Sequence, residues 1–570
     1  MSLLDKASLI VTPNAYKESK LYSIVPSDGS GDLSVTRATT GTRINSSGLI
    51  EVVPRNLLTY SKDLSSGYTF SQCTNSSSQT AFDGTSNARR ITNGATTTDV
   101  YFEQSVSFTP AIYTWSIYVK KGTAATATIK PVHVGIGADV SLMTFTFATE
   151  TISTSELITN SGFTKLSDGW YRIYCSINIT SSVSDLRGRF GNPNVANVYN
   201  DWAYPQLEQG ATATEYFPTT TRLNIPRIDY SNGSCPSILV EPQRTNLLTY
   251  SQDFSNAIWA KDYAIINSNS TLSPDGTNNA NKLIAKNVND IQTLYSTLSL
   301  SNGNNTFSIY VKKAEYSKAG IRFGGTANNA TIAYDLDTNE IIFQGGNIVS
   351  SKIINLSNNW KRIILTANIT NAFVAPCIFG IPNSAYSWDV GNLPIYTGNG
   401  TSGIYIWGAQ FEAGSYETSY IPTTSASVTR NADTFTVNLQ NTNMTFCAYL
   451  ELKEPTLGSN TGDWLQIFNN VSILGRAYGY AQAVGFADAY VLGATASTSR
   501  KIIWKQESGT TAKIFLDGVL VATSTTGTYS NPFNRLGIFG EYLSKPAKIN
   551  SFIFFDNNLT DAECIALTTL

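Results

Sequence analysis

The chain has 570 residues and a net charge of −2, with 14% charged and 11% aromatic side chains. A chain of this length favours about three to five domains, and the near-neutral charge excludes binding to a nucleic acid backbone. Abundant Ser, Thr, Asn and Gly favour β-sheet surfaces over long solvated helices. No stretch approaches the ~20 apolar residues of a membrane span, and no secretory signal is evident. We therefore expect synthesis in the cytoplasm without membrane insertion.

The sequence contains two copies of one long segment. Five blocks recur in the same order, at offsets from 190 (245 − 55) to 204 (410 − 206) residues. The first copy contains RNLLTYSKDL (55–64), DGTSNARRI (83–91), YTWSIYVKKG (113–122), WYRIYCSINIT (170–180) and QLEQGATATEYFPTT (206–220); the second contains TNLLTYSQDF (245–254), DGTNNANKL (275–283), NTFSIYVKKA (305–314), WKRIILTANIT (360–370) and QFEAGSYETSYIPTT (410–424). Repeats of this length indicate a duplicated domain, and duplication favours multivalent surface recognition over a single active site.

Alternation of apolar and polar residues predicts strands in both copies. Trp115 and Ile117, for example, are separated by single polar residues, and this period of two buries one face of a strand. Short strands between Asn, Gly and Ser turns predict all-β, antiparallel β-sandwich domains in tandem, with a jelly roll as the favoured version. Trp115, Trp170 and Trp360 are expected in the cores, and Cys175 is expected to be a buried apolar residue.

Five segments follow one another along the chain. They are an N-terminal segment (1–54), the first copy (55–223), a connector (224–244), the second copy (245–433) and a different terminal unit (434–570). The N-terminal segment has Gly, Ser and Thr clusters and only short apolar runs, which predicts an extended attachment arm and not a domain with a core. The connector contains Pro226, Pro236 and Pro242, so it is predicted to be extended and not helical.

The two copies differ most in one loop. After a shared G-x-P-N motif the offset is 189 residues, and at the Q-x-E block it is 204, so the second copy carries 15 additional residues (204 − 189). This insertion region, 384–403, carries three aromatic residues with an aspartate and an asparagine beside them: Tyr386, Trp388, Tyr396, Asp389 and Asn392. Aromatic planes stack on sugar rings, and amides and carboxylates satisfy sugar hydroxyls. The loop is therefore predicted either to bind carbohydrate or to pack against a neighbouring domain or subunit.

The terminal unit has its own strand pattern. The dipeptide Asp517-Gly518 between two apolar runs predicts a β-hairpin. Thr560 followed by Glu563 predicts the capping box of a short terminal helix.

Residues suited to catalysis or to a cofactor are scarce. The single histidine, His133, has no evident partner and is interpreted as a strand residue. The six cysteines have no CxxC spacing, which gives no support to a zinc or redox motif or to a disulfide framework. The acidic residues at Asp275, Asp556 and Asp561 are too sparse for a calcium loop. No cofactor is predicted, and structural calcium is unsupported by these residues.

Two resemblances add to these observations. The repeated blocks, together with FSIYVKK, IWGAQFEAGSYETSYIPTT and the connector phrase PRIDYSNGSCPSILVEPQRTNLL, resemble carbohydrate-binding-module-like domains of tailed-phage appendage proteins over residues 55–433. The terminal unit, through FLDGVLV, RLGIFG and the closing LTDAE helix, resembles laminin-G or concanavalin-like lectin sandwiches. The resemblance implies a virion protein, such as a tail fibre, tail spike or head fibre, that meets host surface glycans. Such proteins are usually homotrimers, released by lysis of the host cell.

The resemblance also gives expectations for individual residues of these motifs. Trp407 and Gln410 lie in the motif of the second copy, where they serve either ligand binding or strand packing. In the first copy Pro205 occupies the same motif and is expected to break a ladder hydrogen bond, which favours a structural role for that copy. In the lectin-like unit the corresponding candidates for sugar binding are Trp464, Tyr478 and Tyr480.

Three functions follow as hypotheses. In the first, the arm docks to other virion proteins, the sandwiches form a shaft or platform, and weak binding to host polysaccharide is raised by multivalency. In the second, the protein only decorates or joins parts of the virion. The third, a glycan depolymerase, is the least favoured, because depolymerase spikes usually show long parallel β-helix repeats and this sequence does not.

Overall fold

The computed structural model describes residues 2–53, 56–64, 66–95, 98–108, 111–133, 142–179, 183–221, 223–299, 302–324, 329–370, 373–441, 445–453, 463–468, 473–478, 483–484, 499–508, 510–525, 533–539 and 546–569. Strands account for 56% of the structure and helices for 4%, and the sheets are antiparallel, which confirms the predicted all-β class. The chain forms two compact units. One comprises residues 54–223 with the segment 276–279, and the other comprises the remaining residues.

The N-terminal segment is built of short strands. After a 3₁₀ turn at Leu3–Lys6 it forms β1 (Leu9–Lys17), β2 (Lys20–Val25), β3 (Leu33–Thr36), β4 (Gly41–Ile44) and β5 (Ile50–Val53). Strands β1, β2 and β3 pair in an antiparallel series, and β4 pairs with β5 as a hairpin.

The first copy is a two-layered sandwich. Its elements are β6 (Thr69–Ser71), β7 (Cys73–Gln79), β8 (Ala88–Asn93), β9 (Tyr101–Glu103), β10 (Ser105–Phe108), β11 (Ala111–Lys121), β12 (Thr126–His133), β13 (Met143–Thr146), β14 (Thr151–Thr154), β15 (Ile158–Lys165), a 3₁₀ turn (Ser167–Gly169), β16 (Trp170–Ile179), β17 (Val183–Gly191) and β18 (Tyr199–Gln209). The layer that we call the front sheet has the order β14–β13–β12–β17–β9–β6, with β10 also on β17. The back sheet has the order β15–β16–β11–β18–β8–β7. Trp115 and Cys175 are buried between these layers, as predicted.

The connector and the second copy follow. The connector contains β19 (Ile228–Asp229) and β20 (Ser237–Val240), and the second copy contains β21 (Arg244–Asn246), β22 (Ala260–Asp262), β23 (Ala264–Thr271), β24 (Ala280–Ala285), β25 (Asn289–Ile291), β26 (Thr293–Tyr295), β27 (Leu298–Ser299), β28 (Gly303–Lys313), β29 (Lys318–Gly324), β30 (Ala330–Asp335), β31 (Ile341–Gly346), β32 (Ile348–Asn355), a 3₁₀ turn (Ser357–Asn359), β33 (Lys361–Ile369), β34 (Phe373–Ile381), β35 (Ser387–Trp388), β36 (Pro394–Thr397), β37 (Gly403–Ala413) and β38 (Val428–Arg430). Its front sheet, β31–β30–β29–β34–β26–β22, and its back sheet, β32–β33–β28–β37–β24–β23, repeat the strand order of the first copy.

The duplication extends to an irregularity in the back sheet. The pairing of β11 with β18 shifts register between Ser116 and Tyr118, and the pairing of β28 with β37 shifts at the matching place. Pro205 therefore lies at a bulge that the second copy also has without a proline there, and bulges tolerate proline. The expectation that Pro205 distinguishes the first copy by breaking the ladder is wrong.

The terminal unit completes a larger sheet. It contains β39 (Thr434–Asn441), β40 (Phe446–Lys453), β41 (Asp463–Phe468), β42 (Ile473–Tyr478), β43 (Ala483–Val484), β44 (Ser499–Gln506), β45 (Ala512–Leu516), β46 (Val519–Ser524), β47 (Phe533–Phe539), β48 (Ala547–Phe555) and the helix α1 (Asp561–Thr568). Asp517 and Gly518 both adopt positive φ in the β45–β46 turn, which confirms the predicted hairpin. Thr560 and Glu563 form the predicted reciprocal capping box of α1.

The N-terminal segment belongs to this terminal sheet. Strand β1 pairs with β48, and β3 pairs with β39. Leu9, Leu21 and Val35 are buried in one core with aromatic residues of the terminal unit such as Phe446. The prediction of an extended arm without a core for residues 1–54 is wrong, because its short apolar runs are strand faces that this core covers. The connector is extended, as predicted, and its β20 also pairs with β48.

A network of buried charges joins the N-terminal segment, the connector and the end of the second copy, which belong to the same compact unit. Three arginines and two carboxylates, all with side chains 3% exposed or less, form it: Arg37, Arg227, Arg430, Glu241 and Asp433. Arg37 Nη1 donates to Asp433 Oδ1 at 2.8 Å, and Arg227 donates to both carboxylates. Arg430 Nη1 lies 2.8 Å from Glu241 Oε2. Charges this deeply buried require their partners, because an unpaired ion loses its hydration without compensation.

Replacement of Asp433 by Asn is expected to lower the free energy of unfolding by about 3–5 kcal/mol, since it leaves three buried cations with one carboxylate. Chemical denaturation of the whole chain measures this change. The control is Asp337→Asn, which removes a solvent-exposed partner of Lys313 and should change stability little. Equal effects of the two substitutions would contradict a dominant role for the network.

Stability is also expected to depend on acid pH through this network. Burial raises the pKa of Glu241, but the Arg430 and Arg227 guanidiniums outweigh it and lower that pKa to about 2. The pKa of Asp433 is likewise lowered by Arg227 and Arg37 against the effect of burial. Because unfolded carboxyls titrate near pH 4, the contribution of both groups is complete above that pH and is lost as the pH falls toward 2. Denaturation midpoints that stay constant from pH 5 to 2 would contradict this expectation.

Candidate functional site

The inserted loop of the second copy forms a small sheet of its own. Strands β35 and β36 pair with each other, and β36 also pairs with β25. Apolar side chains of this sheet pack on the outer face of the front sheet, where Ala333 and Phe379 are buried. The insertion therefore adds a layer to a face that points away from the sandwich core.

Four aromatic side chains meet on this face, and we call them the aromatic patch: Phe343, Phe379, Tyr386 and Trp388. The Trp388 ring stacks on Phe343 at a centroid distance of 3.8 Å and an interplanar angle of 20°. Trp388 also forms edge-to-face pairs with Phe379 and Tyr386, at centroid distances of 6.3 Å and 6.0 Å. Trp388, Tyr386 and Phe343 are all half-buried, so part of each ring faces solvent. Offset-stacked and edge-to-face pairs of this kind hold the rings in defined orientations.

A glycine in the front sheet makes room for the patch. A Cβ atom on Gly320 would lie 2.4 Å from the Phe379 ring and 2.7 Å from the Ile332 carbonyl oxygen. The Phe379 ring therefore lies over Gly320 of β29, and a larger residue at position 320 would displace the ring. The patch is built by the insertion and by this gap in the sheet together.

Polar and charged groups surround the patch. Lys318 Nζ lies 5.4 Å from the centroid of the Tyr386 ring, and Arg322 donates to Asn329 Oδ1 at 2.9 Å. Asp389 Oδ1 accepts a hydrogen bond from Leu393 N at 2.6 Å, which closes the turn between β35 and β36. Asn392 occupies this turn with φ of 64°. Two cations, a carboxylate and an amide thus lie beside half-exposed rings. Sugar-binding sites combine such polar groups, which bond the hydroxyls, with rings that stack on the sugar face.

The structure brings together most of the candidates predicted in the insertion, but not all. Tyr386, Trp388, Asp389 and Asn392 lie in the insertion with side chains that are each partly exposed. Tyr396 is 3% exposed, and its hydroxyl donates to the Gly380 carbonyl at 2.8 Å inside the sandwich core. Tyr396 is therefore a core residue, and its prediction as a sugar contact is wrong.

The other candidates divide into buried residues and residues outside the described part. Trp407 and Gln410 are buried, and Gln410 accepts from Ile421 N at 2.6 Å, so both serve packing. Trp170 and Trp360 are also buried, as predicted, but in clusters on the outer faces of the back sheets. Trp464 and Tyr478 lie in β41 and β42 with side chains outside the described residues, and Tyr480 lies outside them altogether.

Two aromatic residues of the patch are missing from the sequence-based candidates. Phe343 and Phe379 lie in strands of the front sheet. The alternating pattern of these strands does not decide whether each ring faces the core or the outside. The signal that could have identified them is the glycine opposite Phe379, because Gly320 in a strand suggests the close approach of another group.

The same face of the first copy has a different chemistry. Arg189 lies 3.9 Å above the Tyr101 ring and donates to Glu103 Oε2 at 2.8 Å and Asp99 Oδ2 at 3.0 Å. Arg187 also donates to Glu103. Among its described residues, the first copy therefore carries paired charges on this face, where the second copy carries the aromatic patch.

The described part of the chain shows neither a metal-holding cluster nor a membrane-spanning helix. Among these residues, no three His, Cys, Asp or Glu side chains form a group that could hold a metal ion. The helices found there are all too short or too polar to cross a membrane.

Comparisons with known proteins give distant similarities only. No family model and no curated protein sequence matches the chain. Among solved structures, the tandem domain CBM22-1–CBM22-2 of Paenibacillus barcinonensis Xyn10C is 9% identical, with a TM-score of 0.18, and the match covers 62% of this chain and 97% of that one. Trypanosoma rangeli sialidase is 10% identical, with a TM-score of 0.17, over 88% of this chain and 98% of that one. Scores this low carry no argument about function.

Replacement of Gly320 by Val is expected to displace Phe379 and to expose the Trp388 indole, because the added side chain overlaps the Phe379 ring. A red shift of tryptophan emission, with the rest of the fold retained in circular dichroism, would show this. The control is Gly94→Ala in the first copy, where the nearest atom lies 3.4 Å from the new Cβ. Unchanged emission in the Gly320 variant would contradict the assigned packing of the patch.

Proposed function

We propose that this protein is a bacteriophage virion component, of the tail-fibre, spike or head-fibre kind, that recognises host surface glycans by non-catalytic binding. The aromatic patch of the second copy is the proposed contact surface. The single observation that carries the proposal is that the insertion places half-exposed aromatic rings and polar groups on an outer sheet face of only one of two otherwise matching sandwiches.

The physical basis of sugar binding at the patch is the exposed rings. A pyranose presents C–H groups on one face, and these pack against an aromatic plane, while its hydroxyls need hydrogen-bond partners at the edge. Tyr386 and Trp388 supply the planes. Lys318 Nζ, which lies over the Tyr386 ring, supplies donors, and the Asn392 amide in the neighbouring turn supplies both a donor and an acceptor.

The virion role rests on the resemblance of the repeated blocks to phage appendage proteins. A homotrimer would present three patches, and several such proteins on one particle would present more. Since each added contact becomes intramolecular, weak binding of one sugar is multiplied into firm adhesion. Other virion proteins are the second proposed partner, with assembly in the host cytoplasm and release by lysis.

A purely structural role is the second candidate, and one observation favours it. Trp388 covers Phe343 at stacking distance, so the insertion also stabilises the front sheet. In that case the patch would contact a neighbouring protein of the particle and no sugar.

Binding without cleavage is part of the proposal. Asp389 is committed to the turn that it closes, and the patch residues include no second carboxylate that could pair with it in acid–base catalysis. Incubation with a bound polysaccharide should therefore release no reducing ends.

Replacement of Trp388 or Tyr386 by Ala is expected to reduce binding to a glycan array at least tenfold, because each substitution removes a stacking plane. The matched control is Val390→Ala, which removes an apolar side chain that is fully exposed in the same loop. Variants should first be shown to keep the wild-type unfolding midpoint within a few degrees.

Three outcomes would change the assignment. If the Trp388 and Tyr386 variants bind as the wild type does, the patch is not the sugar site. If no glycan binds and particles carrying the variants fail to assemble, the structural role replaces adhesion. Release of reducing ends from any glycan would contradict binding without catalysis. The trimer is checked independently by a mass measurement in solution.

A further inference from the structure

A recess of the compact unit that contains the second copy lies over the outer face of its back sheet. Its volume is about 450 Å³, which is within the ~300–1,000 Å³ of small-molecule sites. The β4–β5 hairpin, the connector, the edge strand β32 and the terminal strands β40 and β48 contribute to its lining. The four residues of the aromatic patch are not part of this lining, so the recess is a different place on the molecule.

The hairpin reaches this face because the second copy lacks a ring that the first copy has. In the first copy Phe82 stacks on Tyr118 at a centroid distance of 4.3 Å. Tyr310 matches Tyr118 in the repeat, and Pro274 stands at the position of Phe82. The Pro274 carbonyl accepts a hydrogen bond from Ile50 N of the hairpin at 2.9 Å, and Ile50 packs in one cluster with Tyr310. The hairpin therefore takes the place of the ring as a cover and forms one wall of the recess.

Specific contacts hold the walls of the recess in place. Ser357 Oγ donates to the Gly48 carbonyl at 2.7 Å, which joins the hairpin to the back sheet. Ile44 N donates to Asp229 Oδ2 at 2.9 Å, which joins the hairpin to the connector. Because each wall is bonded to its neighbour, a ligand would meet a recess that is already formed, and binding would cost little ordering of the chain.

Most charged groups of the lining have partners within the protein. Asp229 is an anion whose oxygens accept hydrogen bonds from Ile44 N and Ser231 N. Arg362 donates to the Thr418 carbonyl at 2.8 Å; burial lowers its pKa, but Tyr310 and nearby carboxylates outweigh this effect and raise it. The remaining ones form ion pairs: Arg43 with Glu51, Lys352 with Glu417, and Glu241 with Arg227 and Arg430. An ionic ligand would have to compete with these partners, whereas a neutral ligand would not.

Two tyrosine hydroxyls of the lining have no partner among the described residues. Tyr310 is 3% exposed and Tyr230 is half-buried, and neither hydroxyl forms a hydrogen bond with a described side chain or backbone group. A buried tyrosine hydroxyl usually has a partner, since an unsatisfied one loses its hydration without compensation. A hydroxyl group of a ligand in the recess would supply the missing hydrogen bonds.

We propose that this recess binds a neutral sugar unit of a glycan, one or two hexose rings that carry neither a carboxylate nor a phosphate. The hydroxyls of Tyr230 and Tyr310 bond the sugar hydroxyls. The Tyr416 ring, on which Arg244 stacks at 4.6 Å, and the Ile354 side chain offer apolar surface to the C–H groups of the sugar. This inference rests on the proposed glycan recognition for its class of ligand and adds a second site to the aromatic patch.

Calorimetric titration of the whole chain tests this assignment. The probes are the methyl glycosides of glucose, galactose and mannose, and the uronide that corresponds to each. At least one neutral glycoside should bind, with a dissociation constant on the order of 1 mM or lower. Its uronide should bind at least tenfold more weakly, because the carboxylate would lose hydration among charges that already have partners.

A variant that fills the recess locates the bound sugar. Ile354 lines the recess and is 37% exposed, so Ile354→Trp adds volume there without disturbing a core. The neutral glycoside should bind to this variant at least tenfold more weakly. The matched control is Val349→Trp on the same strand, since Val349 is 51% exposed and lies outside the lining. Both variants should keep the wild-type unfolding midpoint within a few degrees.

A second variant removes a hydroxyl and leaves the shape of the recess unchanged. Tyr230→Phe is expected to weaken binding of the neutral glycoside about threefold to tenfold, because one hydrogen bond is lost. The control is Tyr263→Phe, which removes the hydroxyl of an exposed tyrosine outside the lining and should bind as the wild type does.

Each remaining outcome decides the question. Failure of every neutral glycoside to bind, a uronide that binds as tightly as its neutral form, or full binding by Ile354→Trp or Tyr230→Phe would overturn the recess assignment. If binding is lost in Trp388→Ala and kept in Ile354→Trp, the sugar lies at the aromatic patch; the proposed function would stand and the recess site would fall. If binding is kept in Trp388→Ala and lost in Ile354→Trp, the recess is a site of its own, whatever the array shows for the patch.

Discussion

The cluster of Arg37, Arg227, Arg430, Glu241 and Asp433 is the constraint on which the larger unit depends. Its members come from the N-terminal segment, the connector and the end of the second copy, and Arg37 is 396 residues from Asp433. Because each charge is buried, the removal of one member would leave its partner unpaired in a low-dielectric interior. The cluster therefore adds a common contact to the strand pairings that join these segments. Glu241 also accepts hydrogen bonds from Ser419 N at 2.8 Å and from Ser419 Oγ at 2.6 Å, which adds a further tie between the connector and the second copy.

The duplicated sandwiches show how one scaffold carries two chemistries. The strand order of both sheets is the same in the two copies, and so is the bulge in the back sheet. The outer faces differ: the first front sheet carries paired charges around Arg189, and the second carries stacked rings around Trp388. The cores of the two copies match while the outer faces and one loop differ, so the surface chemistry changes without loss of the fold.

Local patterns in the sequence predicted much of the fold, and contacts between distant segments account for the rest. Period-two alternation identified the strands and the buried Trp115, and Thr560 with Glu563 identified the capped helix. The N-terminal strands were not identified, because a run as short as LSVT resembles loop composition until its partner, β39, is known. Tyr396 resembled its neighbours in the insertion, and only the backbone path of β36 turns its ring into the core.

The central claim is that the second sandwich binds glycan through its inserted loop. The most direct test is hydrogen–deuterium exchange of the whole protein, with and without a glycan selected on an array. The account predicts that bound glycan slows exchange in β31, β35 and the turn at Asn392, while the front sheet of the first copy exchanges as before. Protection confined to the first copy, or the absence of any glycan that binds, would contradict it.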